Sequence, residues 1–193
     1  SMEVEVNVDE KGRLEVTELI TVTYNDERRG IFRYIPSVYL DGIVRSASHL
    51  KFIDVKRNGI SETYESIDSR PYNKAIRIGN ESIYLVGQHV YEIRYTLKDV
   101  IIFKENHDEL FWNVTGNSWE YPFEEVVANF YFPAGAEVKQ LNCFTGAFGS
   151  TAQACVIESD LNRVTVTAND YVSAGIVLEK GIIQEPGAVQ RAL

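Results

Sequence analysis

Three stretches of the chain gather side chains able to do chemistry. Trp112, Trp119 and Tyr121 stand close in sequence with Asn113, Asn117 and Glu120. Aromatic faces beside amides suit a sugar, because rings stack on CH faces while amides bond hydroxyls. The competing reading is structural: Phe111 or Trp112 fills a core, and Gly116-Asn117 makes a tight turn with positive φ. A second stretch sets Arg28, Arg29 and Arg33 around Gly30, near Asp26 and Glu27. Guanidinium forks match carboxylates and phosphates, so Arg29 and Arg33 are candidates for gripping an anion. Pairing with the chain's own carboxylates to hold a loop is the stronger expectation. A third stretch is His107-Asp108-Glu109. In a strand His107 and Glu109 share a face, giving a metal or acid–base pair, but a third converging ligand is missing.

Beyond these, the chain carries no nucleophile elbow, no His-Glu-x-x-His, no P-loop and no dinucleotide fingerprint. A hydrolase with paired carboxylates stays open in principle, yet among 28 acids the sequence selects no pair. His49 and His89 sit inside strand-like patterns and read as hydrogen-bonded structural residues. No catalytic residue, metal ligand set or cofactor is therefore assigned. Cys143 and Cys155 are too few for a zinc site. The Gly-, Ser- and Thr-containing loop between them is flexible enough to close, and a bridge there would contribute roughly 3 kcal/mol. Two separate buried thiols are the alternative.

Positioning elements follow from periodicity. Val4, Val6 and Val8 alternate with Glu5 and Asn7; after Asp9-Glu10-Lys11-Gly12, Leu14, Val16, Ile20, Val22 and Tyr24 share one phase. Glu18 alone breaks that phase. Two alternating runs joined by such a turn predict an antiparallel hairpin. Alternation returns at Tyr91-Ile93-Tyr95-Leu97 and Val126-Ala128-Phe130-Phe132, and more briefly at Ile53-Val55, Ile76-Ile78 and Val164-Val166. No stretch repeats apolar residues with helical spacing. The expected fold is all-β, an antiparallel β-sandwich with little or no helix, since many one-faced strands need a second layer. Residues 3–183 read as one sandwich domain, and 184–193 as a linker-like tail. Ser1-Met2 reads as an expression scar, with native chain expected before it.

Composition sets the outer limits. Of 193 residues, 45% are hydrophobic and 24% charged, which is ordinary for a globular chain. Lys plus Arg number 19 against 28 for Asp plus Glu, a net charge of −9, so nucleic acid is an unfavoured partner. No apolar run is long enough to span a bilayer.

Several of these strings occur together elsewhere. Arg29-Gly30-Ile31-Phe32-Arg33-Tyr34-Ile35-Pro36 resembles a segment of the 2207 family of domains of unknown function. The run from His107 to Trp119, with its Trp-Asn-x-Thr-Gly-Asn-x-Trp string, is similar to that family's most specific signature. Gly87-x-His89-x-Tyr91-x-Ile93-x-Tyr95 and the Cys-x-Thr-Gly-x-x-Gly-Ser stretch from Cys143 fit too. The resemblance implies an extracytoplasmic β-rich domain of a prokaryotic membrane protein, tethered by segments outside this chain. In that setting the two cysteines would be bridged. It supplies a place and no reaction. The leading expectation is thus a non-catalytic interaction, assembly or sensing module. Its contact surface would include Trp119, Asn117, Tyr121, Arg29 and Arg33, and its partner would be a protein or a cell-envelope glycan. A glycan-binding module built on 112–119 is the second reading, and a carboxylate-dependent hydrolase the third.

Overall fold

A computed structural model describes residues 1–36, 38–41, 44–47, 49–67, 73–116, 118–147 and 149–186. Every regular element among them is a strand. The first part of the chain forms β1 (Met2–Val8), β2 (Leu14–Arg28), β3 (Ile31–Pro36), β4 (Val38–Asp41), β5 (Val44–Ala47) and β6 (Lys51–Arg57). Next come β7 (Ile60–Ser61), β8 (Tyr64–Ile67), β9 (Asn73–Ile78), β10 (Leu85–Leu97), β11 (Ile101–Phe103) and β12 (His107–Asn113). The last are β13 (Val126–Tyr131), β14 (Val138–Thr145), β15 (Cys155–Asp160), β16 (Arg163–Ala168) and β17 (Val172–Glu179).

One eight-stranded sheet, in the order β15-β16-β13-β1-β2-β10-β6-β7, forms the base. Its inner face collects Val4, Val6, Leu14, Val16, Ile20, Ile93, Tyr95, Phe130 and Val164, each at most 1% exposed. Two smaller sheets close over that face: β11-β12-β17-β14 and β3-β9-β8. Leu110, Trp112, Ala174, Ile176 and Leu178 come down from the first, and Ile35, Ile76 and Ile78 from the second, into one contiguous core. A short β4-β5 pair stands as a separate ladder.

The expected hairpin is present, with Val8 opposite Leu14 and Val6 opposite Val16. Two features depart from the sequence reading. β1 pairs with β13 in parallel, Val4 opposite Ala128, so the base sheet is mixed. A hairpin follows from neighbouring residues, whereas this pairing joins segments over 120 residues apart and leaves no local trace. The Ile53-Val55 alternation also fails. A register shift in the β6–β10 ladder sets Tyr95 opposite Phe52 and Ile93 opposite Val55. That bulge turns Phe52 towards the core and leaves Ile53 46% exposed.

Candidate functional site

Alternation along β3 carries Ile31, Arg33 and Ile35 to the inner face, which buries a guanidinium completely. Arg33 Nε–H and Nη2–H donate to Glu18 Oε2 and Oε1, both at 2.7 Å. Nη1 donates to the carbonyls of Tyr34 (2.7 Å) and Thr115 (2.8 Å), and Nη2 also to that of Val114 (3.1 Å). All five N–H donors of the fork are thereby used. Tyr95 O–H adds a 2.5 Å bond to Glu18 Oε1. Burial pushes the Arg33 pKa down, but the charge and bonds of Glu18, with Tyr95, outweigh it, and the net direction is up. Glu18 is thus the carboxylate that breaks the apolar phase of β2, and Arg33 is its partner.

The most specific string in the chain completes this node. Trp112 packs on the inner face at 1% exposure, and Phe111 points outward at 42%. After β12 the backbone turns at Gly116 (φ +70°), where a Cβ would stand 2.5 Å from Arg33 Nη1 and 2.6 Å from the Tyr34 carbonyl. Only glycine fits there. Asn113 Oδ1 accepts the Gly116 N–H at 2.9 Å, and Thr115 Oγ1 accepts that of Val172 at 3.1 Å. Trp119, half-buried, donates Nε1–H to the Thr115 carbonyl at 2.8 Å and lies 5.8 Å from the Arg33 guanidinium carbon. Phe123 meets its ring edge-on at 5.1 Å. The polar end of Trp119 is therefore turned inward, and Tyr121, 69% exposed, is the open ring of this segment. Asn117 lies outside the described residues.

Arg29 takes the opposite position. It is exposed, its carbon lies 4.7 Å from the Tyr84 ring centre, and Nη2 donates to the Tyr84 hydroxyl. That bond holds its pKa up. Arg29, Arg28, Arg77, Phe32 and Tyr84 line a groove of about 510 Å³ together with Glu27 and Glu81, and Arg77 Nη2 donates to Glu65 Oε2 at 3.0 Å. The groove floor is a close backbone crossing. A Cβ on Gly30 (φ +141°) would collide with the Ile78 carbonyl, and one on Gly79 (φ +128°) with that of Arg29. The two glycines let β3 and β9 approach here. Sequence reading found Arg29 and missed Arg77 and Tyr84, which reach the groove only through the β3–β9 pairing and the 79–85 loop. Phe32 opposite Arg77 in that ladder is the geometric link.

The third stretch and the other histidines are also paired within the fold. His107 Nε2 and Glu109 Oε1 lie 2.6 Å apart on the outer face of β12, while Asp108, fully buried, accepts from Lys180 at 2.8 Å. Among the described residues no three His, Cys, Asp or Glu side chains converge as a metal site. His49 pairs with Asp99, and His89 lies within bonding distance of Asn58 and the Val86 carbonyl. Cys143 and Cys155 are bridged, with Cα atoms 6.6 Å apart. The bridge ties edge strand β14 of one sheet to edge strand β15 of the other.

These features define a β-sandwich domain built round an internal arginine–glutamate node, with one arginine-lined groove outside. The chain belongs to the predicted membrane protein (DUF2207) N-terminal domain family, which it matches over residues 1–178. It is 27% identical over 156 residues to the uncharacterized protein YciQ of Escherichia coli (strain K12). That match covers 77% of this chain and 24% of the relative, so the chain spans about a quarter of its length. Among solved structures, leukotriene A4 hydrolase from Saccharomyces cerevisiae aligns with a TM-score of 0.57 at 9% identity, over 91% of this chain and 28% of that one. An aminopeptidase N family protein from Idiomarina loihiensis aligns at 0.50 and 12% identity, over 93% and 29%. At such identities the likeness is one of fold alone. Among the described residues no helix is long and apolar enough to cross a membrane.

Proposed function

We propose that this is a non-catalytic, extracytoplasmic recognition domain of a cell-envelope membrane protein, serving interaction, assembly or sensing. The observation that carries the reading is how the motif residues are used. Arg33, Glu18, Tyr95, Trp112 and the Trp119 indole N–H are all engaged inside the fold, while Arg28, Arg29, Arg77 and Tyr84 gather around an open groove. Groups consumed in packing do no chemistry on a substrate. A groove lined by exposed aromatic rings and by charges of both signs is suited to holding a partner.

Position supports the same reading. Leu85 at the groove end of β10 pairs with Arg28 at the end of β2. At the other end of β2, the Gln184 N–H donates to the Glu10 carbonyl at 2.7 Å, so the segment after β17 runs beside the β1–β2 turn. Leu14 and Arg28 are separated by roughly 45 Å at the usual rise of an extended strand. The groove thus stands at the pole opposite that segment. A disulfide between sheet edges supports an oxidising compartment, since such bridges persist outside the reducing cytosol.

Two measurements on the full-length membrane protein test this. Ser82→Cys beside the groove is expected to react with a membrane-impermeant maleimide before the inner membrane is breached. Labelling only after that membrane is opened overturns the extracytoplasmic placement. Arg28→Glu with Arg29→Glu is expected to shrink the native complex containing the protein, without lowering its amount. An unchanged complex overturns the recognition reading.

A further inference from the structure

We infer that residues 180–185 form a strap that docks and lifts as one unit, setting whether the chain beyond β17 is held rigid or hangs free. This goes beyond the recognition reading and uses no residue of the groove. The strap is held at two points of different chemistry. At the first, just after β17, Lys180 Nζ donates to Asp108 Oδ1 at 2.8 Å. Asp108 is fully buried, and among the described residues its Oδ2 has no hydrogen-bond partner. Lys180 also lies 5.1 Å from the Phe103 ring centre and 3.5 Å from Glu185 Oε2. One ammonium thus joins both ends of the strap to β11 and β12.

The second point is apolar. Ile183, 2% exposed, packs against the β1–β2 turn. A Cβ on Gly12 would stand 3.2 Å from Ile183 Cγ2 and 3.1 Å from Ile101 Cγ1, so the missing side chain is what seats the isoleucine. Beside it the Gln184 N–H donates to the Glu10 carbonyl at 2.7 Å.

Neither point stands well alone. With Lys180 withdrawn and the rest in place, Asp108 is a buried carboxylate without its counter-charge, a costly state. With Ile183 withdrawn, Gly12 and Ile101 border an unfilled recess. Lifting the whole strap admits water to both and frees its backbone, so the half-lifted forms are the disfavoured ones. The family model describes an N-terminal domain of a predicted membrane protein, so in such proteins more chain follows the domain. Docked, the strap makes the β1–β2 turn and the start of that chain one body. Lifted, it is a tether, and the orientation of the domain is released.

The test breaks one point and reads the other, on this chain. Ile183→Ala is expected to speed acetylation of Lys180 by N-hydroxysuccinimidyl acetate at least tenfold, well within what truncating a buried isoleucine releases. Peptide mass spectrometry reads the rate, with Lys51, exposed on β6, as internal standard. The bond to Asp108 is the main cause holding the Lys180 pKa up, which keeps the docked ammonium unreactive. Conversely, Asp108→Asn keeps the shape, removes the charge, and is expected to speed hydrogen exchange of the Gln184 amide at least tenfold. Amides of β1 and β2 are expected to keep their protection in both variants. An unchanged Lys180 rate in Ile183→Ala, or unchanged Gln184 exchange in a folded Asp108→Asn, would mean that each end moves alone and overturns the inference. Exchange that quickens throughout β1 and β2 in Ile183→Ala overturns it too, because the strap then opens only with the whole domain. Ile183→Ala decides by itself should Asp108→Asn not fold.

Discussion

Arg29 and Arg33 lie four positions apart on one segment and meet opposite environments. Arg33 points inward, loses all contact with water and recovers it through five hydrogen bonds and a carboxylate. Arg29 stays exposed, leaning on one tyrosine. The difference teaches that the same residue type carries two kinds of free energy here. At Arg33 the interaction energy ties three segments of chain together, because its acceptors come from the Glu18 side chain on β2, from Tyr34 on β3 and from the 114–115 segment. At Arg29 the guanidinium stays open to solvent and orders only its tyrosine neighbour. Desolvation decides: a buried ion pair is worth keeping only where every donor is satisfied.

The comparison is broken most directly by removing each arginine in turn. Arg33→Ala leaves Glu18 buried without its counter-charge and is expected to destabilise the domain by about 3–5 kcal/mol. Urea denaturation followed by Trp fluorescence reads this, and Arg33→Lys should rescue little, since an ammonium cannot reach five acceptors. Arg29→Ala is expected to leave the midpoint where it was. Equal shifts for the two would erase the distinction.

Reduction of the Cys143–Cys155 bridge comes next. The residues are 12 apart, and opening the loop is expected to cost about 3 kcal/mol. The bridge clamps sheet edges β14 and β15, and neither cysteine lines the Arg29 groove. Reduced protein should therefore melt earlier while binding at the Arg29 groove is preserved; lost binding would mean that groove and sheet packing are coupled.

A finer cut is Gly116→Ala, which keeps Arg33 and attacks only its seat. The new methyl occupies a left-handed backbone position against Nη1, and a loss of roughly 1–3 kcal/mol is expected. The smallest effect concerns pH. Tyr24 and Tyr91 share a 2.9 Å bond on the base sheet near the groove, and burial is the main cause holding both pKa values up. A group with a raised folded pKa contributes stability that is complete below the unfolded pKa of about 10 and fades above it. Melting temperature should thus be flat near neutrality and fall above pH 10, and Tyr24→Phe should soften that fall. A steady midpoint across this range would show that the pair is not shielded.

How much of this was legible beforehand divides along the same line. The sandwich was readable because one face of each strand is apolar, and the β1–β2 hairpin because its turn lies between adjacent runs. Trp112 was one of two rings expected to fill the core, and it is the one that does, while Phe111 points outward. Glu18 was visible as the break in an apolar row and Arg33 as a cation expected to pair with one of the chain's carboxylates, yet nothing local says that they meet. They belong to different sheets. The groove was hidden for the same reason: Arg77 and Tyr84 join Arg29 only after β3 and β9 have paired.

The parallel contact of β1 with β13 has one more consequence, in time. The first strand of the chain lies in the interior of the base sheet, flanked by β2 and by a strand that begins at residue 126. Three of that sheet's eight strands, β13, β16 and β15, come from the second half of the sequence. Closing so long a loop before any contact rewards it makes such pairing slow. A hairpin of β1 and β2 can form early, but its open edge has to wait for more than a hundred residues to follow. Until they arrive the β13 side of β1 stays unpaired, so the base sheet is completed only after its last strands are available.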